Sequence, residues 1–165
     1  MPTMNSNDLT PNLVICPLTD KPEYLNKLAK WHHAEWSYLN PERSFEERLK
    51  DMQLDLAGNA VPATYFAEVD GKLAGSATIL DDDMSTHPEL GPWLASVFVD
   101  AQYRHRGIAS ALVRKIMQHA EEAQIKTLYL YTPGQEQLYE QLGWQHFLSE
   151  NYNGTDVTIM SIKLT

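Results

Sequence analysis

The segment 103-YRHRGIASAL-112 sets two arginines, a histidine and a glycine immediately ahead of an apolar run at helical spacing. It follows a stretch of strand-forming residues, 93-WLASVFVD-100. It opens 107-GIASALVRKIMQHAEEAQ-124, where Ile108, Leu112, Ile116 and Ala120 make one stripe with Ala111 and Ala123 beside it. A strand, a basic turn and a helix in that order leave unpaired main-chain N–H groups and the positive end of the helix dipole at the turn, which is a setting for an anion. Glycine at 107 lets backbone come close to a phosphate, and alanine at 109 leaves room beside it. Arg104 and Arg106 then offer charge-assisted contacts. The simpler alternative, a capped helix with its arginines in water, fits this segment alone equally well. The spacing is neither that of a Walker loop nor that of a dinucleotide G-x-G-x-x-G.

The rest of the composition makes that local positive charge conspicuous. The chain has 165 residues, enough for one domain with a sizeable core, and carries 22 acidic against 13 basic side chains, a net charge of −9. General nucleic-acid binding is excluded, because neutralising phosphates needs a broad basic face. Cys16 is the only cysteine, so an intrachain disulfide is ruled out and a reducing, cytoplasmic setting is expected. Its place in 13-LVIC-16 reads as a small buried hydrophobe rather than a nucleophile. The opening 1-MPTMNSNDLTP-11 lacks the basic start and apolar stretch of a signal peptide and reads as a loose arm. The run 93-WLASVFV-99 is far short of the ~20 apolar residues that span a bilayer, so no membrane association is expected.

Period and turn signals order the remaining segments. Residues 12-NLVICPL-18 read as a short strand ended by Pro17, and 22-PEYLNKLAKWHHAEWSYL-39 as a helix with proline in its first turn. Ser44 and Glu47 form the signature of a capping box opening a helix over 44–57, with Gly58-Asn59 as its stop. The pattern then alternates: 63–69 and 72–80 form a hairpin around Asp70-Gly71, and two final strands, about 145–152 and 155–164, turn at Asn153-Gly154. With a strand at 127–132 and a short helix at 135–143, the order is β-α-α-β-β-β-α-β-α-β-β. That order predicts a single α/β domain over 12–165, a mixed central sheet flanked by helices.

Arg104-His105-Arg106-Gly107-Ile108-Ala109 matches the R/Q-x-x-G-x-G/A motif of the GNAT superfamily of N-acetyltransferases, and lies where that family has it. Downstream, 138-LYEQLGW-144 resembles the family's L-Y-x-x-x-G-F/W segment. The resemblance covers roughly 93–145 in motifs and nearly the whole chain in element order. It implies acetyl-CoA as co-substrate and no metal. The main chain of Arg104, His105, Arg106, Gly107, Ile108, Ala109 and Ser110 would wrap the pyrophosphate. The backbone of Phe98 and Val99 would pair with the pantetheine arm like an added strand. It also implies Val99 N–H as the donor to the thioester oxygen and Tyr139 as the acid that protonates the departing thiolate.

The base is less legible. Many family members carry a glutamate in the strand before the glycine turn, but 93-WLASVFV-99 has no acid. Ser96 positioning a water, the cluster Asp81-Asp82-Asp83, and Glu68, whose alternating position faces it to solvent, remain open beside water alone. His32-His33-Ala34-Glu35 lacks the H-E-x-x-H spacing, and neighbouring helical side chains diverge by about 100°, so it does not read as a metal site. His105 and His119 read as surface or packing residues. For the acceptor, Trp31, Trp36, Tyr38 and Phe45 interleave with Glu35, Glu42, Glu46 and Glu47 in the region that would roof the pocket. Aromatic faces with carboxylates suit a small cationic amine over a peptide amine, although two amphipathic helices explain most of the same residues. The competing reading is a non-catalytic acyl-CoA-binding module. The missing strand acid favours it and Tyr139 opposes it. Strand edges near the C-terminal end leave a homodimer open.

Overall fold

Pro17 cannot donate to a strand ladder, and β1 (Leu13–Pro17) stops there at the edge of the sheet. The computed structural model describes residues 12–164; the expected arm over 1–11 lies outside the described residues. A 3-10 turn with Pro22 at its start leads into α1 (Leu25–Trp36). The helix α2 (Phe45–Gln53) is closed at its N-terminus by the predicted capping box: Glu47 N–H donates to Ser44 Oγ at 3.0 Å, and Ser44 N–H to Glu47 Oε1 at 2.8 Å. It is shorter than the sequence suggests. Its last turn tightens to a 3-10 helix over Leu54–Leu56, which satisfies end carbonyls and turns Asp55 inward.

The strands β2 (Ala63–Val69), β3 (Lys72–Leu80), β4 (Trp93–Val99), β5 (Thr127–Thr132), β6 (Gln145–Tyr152) and β7 (Thr155–Lys163) form one sheet in the order β1-β2-β3-β4-β5-β7-β6. All neighbours are antiparallel except β4 and β5. Asp70-Gly71 and Asn153-Gly154 each hold both turn residues at positive φ, the geometry that matches the twist of a two-residue hairpin. Two further helices, α3 (Ile108–Glu122) and α4 (Glu136–Gln141), complete the predicted order. The mixed sheet with flanking helices is the predicted architecture.

The apolar stripe of α3 packs on one face of the sheet. Ile108, Leu112, Ile116 and Ala120 are all but fully enclosed, with Ala67, Ala77, Ile79 and Leu128 opposite. Burying each larger member contributes about 2–3 kcal/mol. On the other face α1 and α2 cover Leu18, Phe66 and Leu73 with Leu28, Ala29 and Met52. Cys16 is half-buried against this second cluster, not enclosed as expected, because an edge strand is covered from one side only. Glu68 reverses its expected orientation: it is buried, held by Lys21 Nζ at 2.7 Å and by the Tyr24 hydroxyl.

Sheet register carries the feature that makes a site. Ser76 faces Phe98 and Thr78 faces Ala95, so Ala77 alone opposes Ser96 and Val97. Ser96 sits in the left-handed region at φ 55°, and the extra residue is a β-bulge that bends β4. Along this bent strand β4 parts from β5. The two strands pair only at Trp93 and Tyr129, where Tyr129 N–H also donates to Pro92 O at 3.0 Å. A wedge therefore opens between Leu94–Val99 and β5.

Close packing of β3 holds β4 on its other side. A Cβ on Gly75 would meet Phe98 O at 2.4 Å, a main-chain contact that cannot swing aside. Gly75→Ala is expected to destabilise the protein by about 2 kcal/mol, read as a lower midpoint in urea.

Candidate active site

A cavity of about 870 Å³ fills the wedge and continues under α1 and α2. One end is built by the open half of β4 and the turn before α3. Here the cavity is lined by Val97, Phe98, Val99, Arg104, His105, Gly107, Ile108, Ala109 and Ser110. Gly107 caps α3 at φ 78°, and His105 also has positive φ, so the turn curls left-handed as the chain enters the helix. No side chain caps α3, and the first intrahelical bond runs from Ala111 N–H to Gly107 O, leaving the amides of Ile108, Ala109 and Ser110 without helical partners. Arg106 is the one predicted phosphate-loop residue outside the cavity wall; its guanidinium lies 5.6 Å from the centre of the Tyr103 ring.

The two predicted strand residues differ in aim. Asp100 N–H donates to Ala74 O at 2.8 Å, so by alternation the main chain of Phe98 turns to β3 and that of Val99 to the wedge. The Val99 carbonyl accepts from Arg104 Nε at 2.9 Å, which ties the turn to the strand end. Phe98 contributes its ring instead, packed among Trp31, His32 and Trp36.

Tyr139, carried by α4, reaches the same cavity across from β4. It is 8% exposed, and burial pushes its phenol up to about 12, so it stays protonated at neutral pH. Trp144 packs against its ring, which places the two ends of the 138–144 motif together.

At the other end the cavity is polar and was mostly invisible in the sequence. Trp36, Tyr38 and Glu35 line it as expected, but Trp31, Phe45, Glu42, Glu46 and Glu47 do not. Their places are taken by Arg43, Arg48, Asp51, Asp55, Thr78, Asp83 and Tyr131. Of the candidate bases, Asp83 and Ser96 line this cavity, Asp81 and Asp82 line a neighbouring depression, and Glu68 lies on neither wall. The Asp83 carboxyl is enclosed although the residue as a whole is partly accessible. Desolvation pushes it up to about 7, against the pull of Arg43 and Arg48. His32 is a satisfied interior group: its Nε2 meets Ser76 Oγ at 2.8 Å, and burial holds it neutral with a pKa near 3. His119 links Tyr65 Oη at 2.8 Å with Ala60 O at 2.7 Å. Among the described residues, no group of three or more His, Cys, Asp or Glu is placed to hold a metal ion. No described helix is long and apolar enough to cross a membrane.

The model of the acetyltransferase (GNAT) family matches residues 25–144. The chain belongs to that family. GNAT acetyltransferases draw their acyl group from acetyl-CoA. Solved structures share the fold at low identity. An N-acetyltransferase from Staphylococcus aureus Mu50 is 19% identical with a TM-score of 0.72, covering 93% of this chain and 99% of its own. A GNAT-family acetyltransferase from Streptococcus pneumoniae is 20% identical with a TM-score of 0.67 over the same shares. An aminoglycoside 6'-N-acetyltransferase complexed with coenzyme A is 16% identical with a TM-score of 0.71, covering 92% of this chain and 97% of its own. No curated protein sequence matches the chain significantly.

Asp55 gives the site a pH-dependent stability. Its Oδ2 accepts from Thr64 Oγ1 at 2.7 Å, while its buried Oδ1 has no partner, and burial pushes the carboxyl up to about 6. Because the folded pKa lies above the unfolded 3.8, the folded state binds more protons between those values. The resulting destabilisation sets in as pH rises past 4 and is complete above 6. Asp55→Asn is expected to stabilise the protein by about 2 kcal/mol at pH 7.5 and by almost nothing at pH 4, measured by urea unfolding at both.

Proposed function

We propose that this GNAT acetyltransferase moves acetyl from acetyl-CoA directly to a primary amine of a small molecule or peptide, with Tyr139 as the proton donor. The observation that carries the reading is the pairing, in one cavity, of a side-chain-free helix start at Gly107 with a protonated, cavity-facing Tyr139. Acetyl-CoA supplies the thioester. The first-turn amides of Ile108, Ala109 and Ser110, with Arg104 and the main chain of His105 and Gly107, would hold its pyrophosphate. Arg106 would act from the rim, beside Tyr103. Val99, turned to the wedge, would pair with the pantetheine arm and donate its N–H toward the thioester oxygen, while the ring of Phe98 supports the floor.

An alkyl ammonium with a pKa of about 10 must lose a proton before it can attack. With no acid on β4, we assign that proton to Asp83, whose carboxyl near 7 is matched to neutral pH. Tyr139, still protonated, then delivers a proton to the departing thiolate and is restored by the second proton that leaves the nitrogen as the amide forms. The partial enclosure by Trp36 and Tyr38 with Glu35 supports a small amine. A homodimer, if formed, would use the free edge of β6, where Phe147 is 47% exposed.

The reading is tested by thiol release from acetyl-CoA across a panel of amines. Tyr139→Phe is expected to lower kcat about 10²-fold with acetyl-CoA affinity within about twofold. Gly107→Asp is expected to weaken acetyl-CoA at least about tenfold by calorimetry, since it strains the left-handed turn and places a carboxylate at the phosphates. Unchanged turnover in the first variant removes the role of Tyr139. A protein that binds acetyl-CoA yet acetylates nothing points to the non-catalytic acyl-CoA-binding module.

The base has its own signature. In the wild type kcat/KM for the acceptor is expected to rise tenfold per pH unit below about 7 and level above it, apart from the amine's own titration. Asp83→Asn should remove that limb; a limb that persists in the variant assigns the proton to water.

A further inference from the structure

Arg48 is 5% exposed, lies on the wall of the cavity, and its Nε has no hydrogen-bond partner. No carboxylate among the described residues stands within ion-pair distance of it. The nearby acid Asp51 is taken by Arg43, Nη2 to Oδ2 at 2.7 Å, and Asp83 acts on Arg48 only from beyond 4.0 Å. A buried guanidinium without an anion costs several kcal/mol, and burial accordingly lowers the pKa of Arg48. Such a group persists where a ligand supplies the missing charge. That ligand is not the diphosphate. Besides the paired Arg43 and Asp51, Arg48 feels Tyr131 and Asp83, and Tyr131 packs on Trp93 at the closed end of the wedge. The helix turn lies at the opposite end of β4, beyond Val99.

We propose that Arg48 binds an oxyanion of the acceptor, so that the acceptor is an amine bearing a carboxylate, an amino-acid-like zwitterion. This rests on the acetyl-transfer reading and narrows its substrate. The planar fork of Arg48 takes the carboxylate, and Asp83, electrostatically coupled to it, faces the ammonium a few ångströms away. A purely cationic amine, which the aromatic and acidic residues of the sequence favour, would bring a second positive charge to a buried arginine and leave its anion missing. The transfer itself balances: the ammonium gives one proton to Asp83, the N–C bond forms as the C–S bond breaks, the thiolate takes a proton from Tyr139, the second nitrogen proton restores the Tyr139 phenol, and Asp83 returns its proton to solvent.

The experiment compares L-amino acids with their carboxamides, assayed as pairs by thiol release. The wild type is expected to favour the acid in kcat/KM by about 30-fold or more for the best pair, the scale of a buried charge pair. Arg48→Met is expected to bring that ratio within about threefold, with most of the loss falling on the acid. Arg48→Lys should fall between, keeping the charge without the fork. Equal use of acid and carboxamide by the wild type, or an equal loss on both in the variants, overturns the subsite. If no compound accepts acetyl while acetyl-CoA still binds, the transferase reading falls instead. The subsite is then judged by melting temperature: an amino acid that raises it in the wild type and not in Arg48→Met sustains the subsite, and no shift overturns it.

Discussion

A single extra residue in β4 creates the space on which function depends. Antiparallel registry on both sides of Ser96 and Val97 forces the bulge to bend the strand, and the bend carries Val99 away from β5. Had β4 and β5 zipped along their length, the main-chain groups of Val99 would be consumed within the sheet and no cleft would separate α3 from α4. Holding Ser96 at φ 55° costs of order 1 kcal/mol or more, and the neighbouring sheet maintains it. The absence of a side chain at Gly75 lets β3 sit against Phe98 and hold the bent strand from behind. The wedge is thus a property of the sheet, independent of any ligand.

The turn before α3 depends on that geometry in sequence. Because Val99 ends β4 pointing into the wedge, the chain must climb over the strand end to start α3, and the left-handed residues His105 and Gly107 make the climb short. Arg104 fastens the turn through the Val99 carbonyl. The first-turn amides of α3 consequently face the same space as the open edge of β4. A concentration of positive potential at one helix start, within a chain of net charge −9, follows from placing backbone dipoles rather than from covering a surface with lysine.

How much of this is legible in a sequence depends on the range of the interaction. Local signals translated directly: the boundaries of β2, β3 and β5, the Ser44–Glu47 box and both two-residue turns rest on neighbours a few positions apart. The end proposed for the cofactor is also local, since Arg104 through Ser110 is one continuous segment. The acceptor end is not. Arg48 and Asp55 come from α2 and its 3-10 extension, Asp83 from a loop and Tyr131 from β5, and only the fold brings them together. In the sequence Arg48 sits in 46-EERLKD-51 as one charge among many on an amphipathic helix, with nothing to mark it as buried. Glu68 shows the opposite failure: alternation from β2 sends it outward, but Lys21 and Tyr24, more than forty positions away, arrive to cover it.

The charged residues at the end proposed for the acceptor have a common logic. Arg48, Asp55 and Asp83 are all desolvated, and each is incompletely paired within the protein. A core built for stability alone would favour apolar side chains there, because buried ionised groups rarely repay their desolvation. Retaining both signs on one wall, a few residues from a gap that exposes main-chain donors, makes sense if the incoming molecule completes the pairs. The same desolvation that weakens the fold raises the pKa of Asp83 to about 7 and keeps Tyr139 protonated, so one physical cause would supply both the acceptor and the donor of protons that the proposed transfer needs. Local instability and the proposed chemistry are therefore two consequences of a single arrangement, set by where the bulge in β4 leaves room for partly buried polar groups.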